Sequence, residues 1–172
     1  MIRILGIDPG SFYTGYGIIE MDGNHSRHII NGHIRVTGTD LPAKCLAIFN
    51  GIIQVIESHR PDEIAIEKVF MHRNADSALK LGQARGAALT ACAQKSLDCY
   101  EYAPNQIKQA TVGRGHASKQ QVQHMVKVLL CLEAVPPADA ADALAVALCH
   151  GHSREGLLRM KNVTGMRRGR LQ

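Results

Sequence analysis

No uninterrupted apolar stretch in this chain approaches the ~18 residues that a membrane-spanning helix requires, so nothing in it is expected to cross a bilayer. A charged start followed by a long apolar run is also missing. Residues 1–10 carry a strand pattern instead, which speaks against a secretory leader. Cysteine is sparse and unpatterned. Cys45, Cys92, Cys99, Cys131 and Cys149 are odd in number and never in Cys-x-x-Cys spacing, which argues against a disulfide framework or a zinc site and for reduced thiols in a cytoplasmic protein.

What is present fits one domain with a full-sized core: 172 residues, 45% of them hydrophobic. Charge is uneven. Residues 1–71 hold six Lys/Arg against eight Asp/Glu, and residues 72–172 hold fourteen against seven. The pI near 9.1 therefore belongs to the second part and suggests a polyanionic partner such as nucleic acid.

Hydrophobic periodicity predicts an α/β fold with five strands. Ile2 to Asp8 reads as a short buried strand ending in an acid and a Pro-Gly turn. Residues 13–20 and 28–36 supply two more strands around a turn at Met21–Asn24, which makes an antiparallel meander. Residues 41–58 switch to helical spacing, with Asp40 as N-cap and Pro42 in the first turn. Glu63–Val69 alternates as a fourth strand, which the crossing helix makes parallel to the sheet. A long helix spans 75–96, and a fifth strand spans 99–103. A short helix opens at Pro104, and a Ser118–Gln121 capping box begins a helix through Leu132. Gly82-x-x-x-Gly86 marks a tight helix-packing or subunit-contact surface.

Four acids stand where acids are costly. Asp8 and Glu67 each follow an apolar strand run, and an unpaired carboxylate there must be compensated by a partner or a cation. Asp139 and Asp142 are three apart near the start of an alanine-rich helix, so they share one face. An N-cap role accounts for Asp139 but fits Asp142 poorly. If that helix docks where Asp8 and Glu67 emerge, the carboxylates converge and repel unless cations bind. Hard oxygen ligands with open water positions suit Mg²⁺ or Mn²⁺, and two such ions could serve phosphodiester hydrolysis. Phe70 and Met71, just past the strand, either stack on an unpaired base or tuck into the core. Lys108, Arg114 and Lys119 bracket a glycine loop and suit phosphate contacts.

The segments Gly6-Ile7-Asp8-Pro9-Gly10, Ile66-Glu67-Lys68-Val69-Phe70, Asn74 to Gly86 and Ala138-Asp139-Ala140-Ala141-Asp142-Ala143 together resemble the RuvC family of bacterial Holliday-junction resolvases. The resemblance covers the chain to about His152. It implies a ribonuclease H-like fold, a five-stranded mixed sheet flanked by helices, and a homodimer. It also implies symmetric nicking of a four-way DNA junction, with two Mg²⁺ per subunit, beside the RuvA–RuvB branch-migration complex. By position, Asp8, Glu67, Asp139 and Asp142 resemble the metal-binding acids, and Phe70 resembles the residue that stacks near the crossover. Lys108 and Lys119 match basic residues near the scissile strand. Lys68 departs from the family pattern and is expected to face away from the metals. Arg114 and His116 vary the glycine loop.

Residues 1–153 are thus expected to form the nuclease domain. Residues 154–172, with six basic residues and one acid, are expected to form a disordered tail that contacts nucleic acid. His150 and His152 read as a frayed helix end rather than as metal ligands. The opening Gly-Ile-Asp-Pro-Gly also resembles the phosphate loop of sugar kinases and actin-like ATPases, but those folds need two lobes and this length supplies one. A junction-binding module without catalysis is the other rival.

Overall fold

The computed structural model describes residues 1–69 and 75–168, with side chains described as far as Arg154. The apolar, β-branched runs form β1 (Ile2–Asp8), β2 (Tyr13–Asp22), β3 (His25–Arg35), β4 (Glu63–Glu67) and β5 (Cys99–Tyr102). The helically spaced segments form α1 (Leu41–His59), α2 (Ala75–Gln94), α3 (Pro104–Val112), α4 (Lys119–Leu129) and α5 (Ala138–Arg168). One mixed sheet results, in the order β3-β2-β1-β4-β5. The β1–β2 and β2–β3 pairs are antiparallel, as the short turns require, and β4 lies parallel to both β1 and β5.

The expected caps are present. The Asp40 carboxylate accepts from the Ala43 amide at 2.9 Å. Ser118 and Gln121 exchange the two bonds of a capping box, at 2.8 and 3.3 Å. Element ends differ by a few residues from expectation. β4 stops at Glu67, and α4 stops at Leu129, short of the expected Leu132, with Cys131 just beyond it turned to a left-handed φ of 51°.

Alternation along the strands sorts side chains onto two faces. Leu5, Ile7, Ile18, Ile64 and Ile66 pack with α1 and α2 through Ile48, Ile52, Ala84 and Ala88. Ile4, Ile19, Ala65 and Tyr102 face the other way, onto α3, α4 and α5. Helix α5 is the centre of that second layer. Ala140, Ala141 and every residue from Ala143 to Leu148 are without exposed surface, so this helix is apolar all round because it is enclosed all round.

It lies unusually close to the sheet. A Cβ at Gly6 would collide with the Ala143 carbonyl oxygen, and one at Gly15 with the Asp139 carbonyl oxygen. The close approach that these glycines permit is thus taken up by the backbone of α5. Gly82 and Gly86 differ. A Cβ at either would meet nothing within 4 Å, so among the described residues nothing packs against those positions of α2. Helix α5 also crosses the boundary expected between residues 153 and 154 and continues to Arg168. No helix among the described residues is long and apolar enough to cross a membrane.

A candidate active site at the ends of β1 and β4

Parallel pairing places the last residues of β1 and β4 side by side, one step beyond the Ile7–Ile66 pair. Asp8 and Glu67 are those residues. Each is two positions along from a residue that faces α5 (Gly6 and Ala65), so both carboxyls turn toward that helix. Asp142, one turn into α5, meets them there. Together with Pro104, Ile107, Lys108, Lys119 and Val122, the three acids line a cleft of about 220 Å³.

The electrostatics of the cleft follow from acids held in an enclosed place. Burial pushes the Asp8 carboxyl up, and the charges of Glu67 and Asp142 push it further. Lys119 recovers part of the shift, and the group titrates at about 8. Burial raises Glu67 as well, though a hydrogen bond from Asp8 works the other way, so the proton that the pair shares resides on Asp8. Asp142 is raised by burial against the opposing pull of Lys119, whose ammonium stands 3.2 Å from Asp142 Oδ2. The Lys119 proton is in turn held more tightly because of Asp142. Lys119, with Lys108 acting on Glu67 and Asp142, thus answers three enclosed carboxyls.

The other expected site residues are distributed unevenly. Lys108 lines the cleft, half-buried, as expected. Asp139 does not line it. It sits one turn before Asp142, with its carbonyl over Gly15, which pairs with Asp8. Arg114 also stands outside the lining, exposed between α3 and α4, with its carbonyl accepting from the Ala117 amide at 3.3 Å. Lys68 is exposed and points away from the acids, as alternation requires. Phe70, with Met71, lies outside the described residues. The apolar wall of Pro104, Ile107 and Val122 had no separate sequence signal, since these residues read simply as helix positions.

His150 was misread from sequence as part of a frayed end. It is wholly buried in the middle of α5, where Nε2 lies 2.8 Å from Glu63 Oε2 and Nδ1 lies 2.7 Å from the Tyr102 hydroxyl. The Arg154 Nε donates to the same Glu63 oxygen at 2.9 Å, so the helix is tied down where fraying was expected. A clue was available in the strand: Glu63 stands four residues before Glu67, on the same face.

Among the described residues, no three acids, histidines or cysteines close up into a finished metal site. The donor set itself fits a hard divalent cation: three carboxyls converging on one cleft, with no thiol or imidazole in its lining.

Known proteins place this arrangement. Residues 4–150 match the family described as "Crossover junction endodeoxyribonuclease RuvC". The protein of that description from Hahella chejuensis is 52% identical over 172 residues, with all of both chains covered. Among solved structures, Thermus thermophilus RuvC superposes with a TM-score of 0.80 at 34% identity, covering 90% of this chain and 97% of that one. The same protein in complex with Holliday junction substrate gives a TM-score of 0.83 at 33% identity, covering 91% and 97%.

Proposed function

This chain belongs to the RuvC family of crossover junction endodeoxyribonucleases, and from that premise we propose that Asp8, Glu67, Asp139 and Asp142 hold two Mg²⁺ ions per subunit at its cleft, with Mn²⁺ able to substitute. The chain is an endonuclease that resolves Holliday junctions in DNA recombination and repair. One observation carries the metal reading. Asp8, Glu67 and Asp142 converge on one cleft, where burial and mutual repulsion push the Asp8 carboxyl up, and a divalent cation relieves that repulsion.

Bound there, the ions would supply an activated water and neutralise the charge that develops as one P–O bond forms and another breaks. The remaining work falls to this chain's side chains. Asp8 and Glu67 would hold the ions as two carboxylates, having given up the proton between them. Lys119, whose ammonium is largely exposed, exchanges Asp142 for a DNA phosphate, and Lys108 takes a neighbouring one. Pro104, Ile107 and Val122 wall off bulk water and strengthen each charge interaction in the cleft. Arg114 extends the basic rim outward from α3. Phe70 stacks on a base beside the crossover.

Two subunits, presenting two clefts, account for paired nicks in strands of like polarity. Gly82 and Gly86, open on α2, are the surface through which we expect the copies to meet. The basic segment beyond Arg154 adds contacts to DNA, and the RuvA–RuvB complex is the expected partner. A cytoplasmic setting suits five cysteines that are all free.

The test is a labelled, immobile four-way junction and its linear duplex control, each with Mg²⁺ and with chelator, beside an Asp8→Asn variant. Paired nicks in the junction alone, requiring both metal and Asp8, are expected. Nicking by the variant would remove the site assignment. Tight binding without nicks, across several junction sequences, would favour an architectural junction binder.

A further inference from the structure

Two facing pairs lie between α5 and β4, one of them bonded, and their spacings match. From Asp142 to His150 the helix advances eight residues, about 12 Å. From Glu67 back to Glu63 the strand covers four residues, about 13 Å. Helix and strand run in opposite directions, so Asp142 faces Glu67 at one end while His150 bonds Glu63 at the other.

Between these ends the seam is close and built mostly of small residues. The backbone of α5 rests on Gly6 and Gly15 through Ala143 and Asp139, and Ala140, Ala141, Ala145 and Ala147 are small. Leu144 seats at Gly17 and Met21 seats at Gly151, which interlocks the helix with β2. The polar contacts at the far end add directional bonds and tie the helix to β4 itself. The Glu63 carboxylate facing Nε2 can only accept, so a neutral ring carries its hydrogen on Nε2 and takes the Tyr102 hydroxyl, 2.7 Å from Nδ1, as donor. Burial pushes the Glu63 carboxyl up, but the bonds from Arg154 and His150 more than offset it and keep a carboxylate there. Tyr100 stacks on the imidazole at 4.3 Å and fixes its plane.

We propose that His150 is a positioning residue for cleavage: through Glu63 it sets the axial register of α5 on β4, and with it the placement of Asp139 and Asp142 against Asp8 and Glu67. This rests on the reading that those acids hold metal. His150 touches neither substrate nor metal. It acts from about 12 Å away along a rigid helix.

The experiment titrates Mn²⁺ by electron paramagnetic resonance without DNA, and Mg²⁺ in junction nicking. The proteins compared are wild type, Asp8→Asn, His150→Leu, His150→Gln and Glu63→Gln. Junction binding in chelator and melting temperature are recorded for each. His150→Leu is expected to raise the metal concentration for half-saturation about fivefold or more in both titrations, with junction binding unchanged within about twofold. His150→Gln, which can still donate to Glu63, should recover most of the loss. Glu63→Gln, a milder change if His150→Leu folds poorly, should shift half-saturation in the same direction.

A lowered melting temperature with wild-type half-saturation in the folded fraction would overturn the proposal and leave His150 a structural residue. So would a Gln variant no better than Leu. If Asp8→Asn binds Mn²⁺ as wild type does, the metal reading itself falls, which is a different outcome from a silent His150→Leu.

Discussion

Replacing Asp8 by asparagine should make the metal-free protein more stable while it destroys the nuclease. The folded chain holds the Asp8 proton to about pH 8, whereas the ordinary carboxyl titrates at 3.8. Between these values the unfolded chain has released the proton and the folded chain has not. The stability that Asp8 contributes is therefore full below about pH 4 and is lost as pH rises toward 8. At about 1.4 kcal/mol per pH unit the whole interval would amount to about 6 kcal/mol, an upper bound for one group acting alone. Glu67 and Asp142 redistribute the strain once Asp8 is neutral, because each is then freer to ionise, so about 2 kcal/mol is the expected gain. For a chain of this length that corresponds to about 4–8 °C in melting temperature.

The amide fits the place, because it can still donate to the Glu67 carboxylate as the Asp8 proton does. The assay is thermal melting in chelator at pH 5 and pH 8.5. Wild type and Asp8→Asn should draw together as pH falls below about 4, should already differ at pH 5, and the variant should melt higher at pH 8.5. Adding Mg²⁺ should raise wild type and leave the variant where it was, and junction nicking by the variant should fall at least about a hundredfold. Groups whose titration runs the other way, such as Glu63 and Glu20, are common to both proteins and cancel in the difference. A variant less stable than wild type at pH 8.5, or a difference independent of pH, would refute the assignment of an enclosed, strained carboxyl at this position.

Lys119→Met should weaken junction binding equally across sequences and make its logarithmic salt dependence shallower by about one, as read by titration at several ionic strengths. Gly15→Ala drives a Cβ into the Asp139 carbonyl, so it should cost about 1–3 kcal/mol and abolish nicking in the protein that still folds. Gly82→Ala meets nothing among the described residues and should add up to about 1 kcal/mol to helix stability. If α2 joins two copies, sedimentation should show that variant shifted toward monomer. Phe70→Ala should slow nicking more than it lowers the melting temperature, and the reverse would place the ring in the core.

Strand-end acids were legible because a sheet has a period of two. Apolar alternation before Asp8 and Glu67 dictated which way each must point, and parallel pairing of β1 with β4 brought them together. The alanine-rich run was legible as a helix for the same kind of reason. What covered the glycines was not. Gly6 and Gly15 signal that something approaches closely, but only the tertiary fold selects the backbone of α5 over a ligand. His150 was obscured because a polar residue after an apolar run usually marks the point where a helix reaches solvent. Its burial depends on Glu63, 87 positions away, and no local pattern carries that distance. Spacing places Asp139 on the helix face of Asp142, but only the fold shows that its backbone packs at Gly15, beside Asp8, while Asp142 lines the cleft.

The enclosure of α5 bears on when the nuclease comes into being. Its strongest sheet contacts are with β1 and β2, the first strands made, and it is the last helix of the described fold. A growing chain carries Asp8 and Glu67 early but lacks Asp142 and the helix that roofs the cleft. Contacts so far apart in sequence form late and slowly. A nascent or prematurely ended chain therefore exposes a sticky, unfinished sheet and no cutting centre. Cutting therefore waits on the seating of the final helix, because Asp142 reaches the cleft only with it.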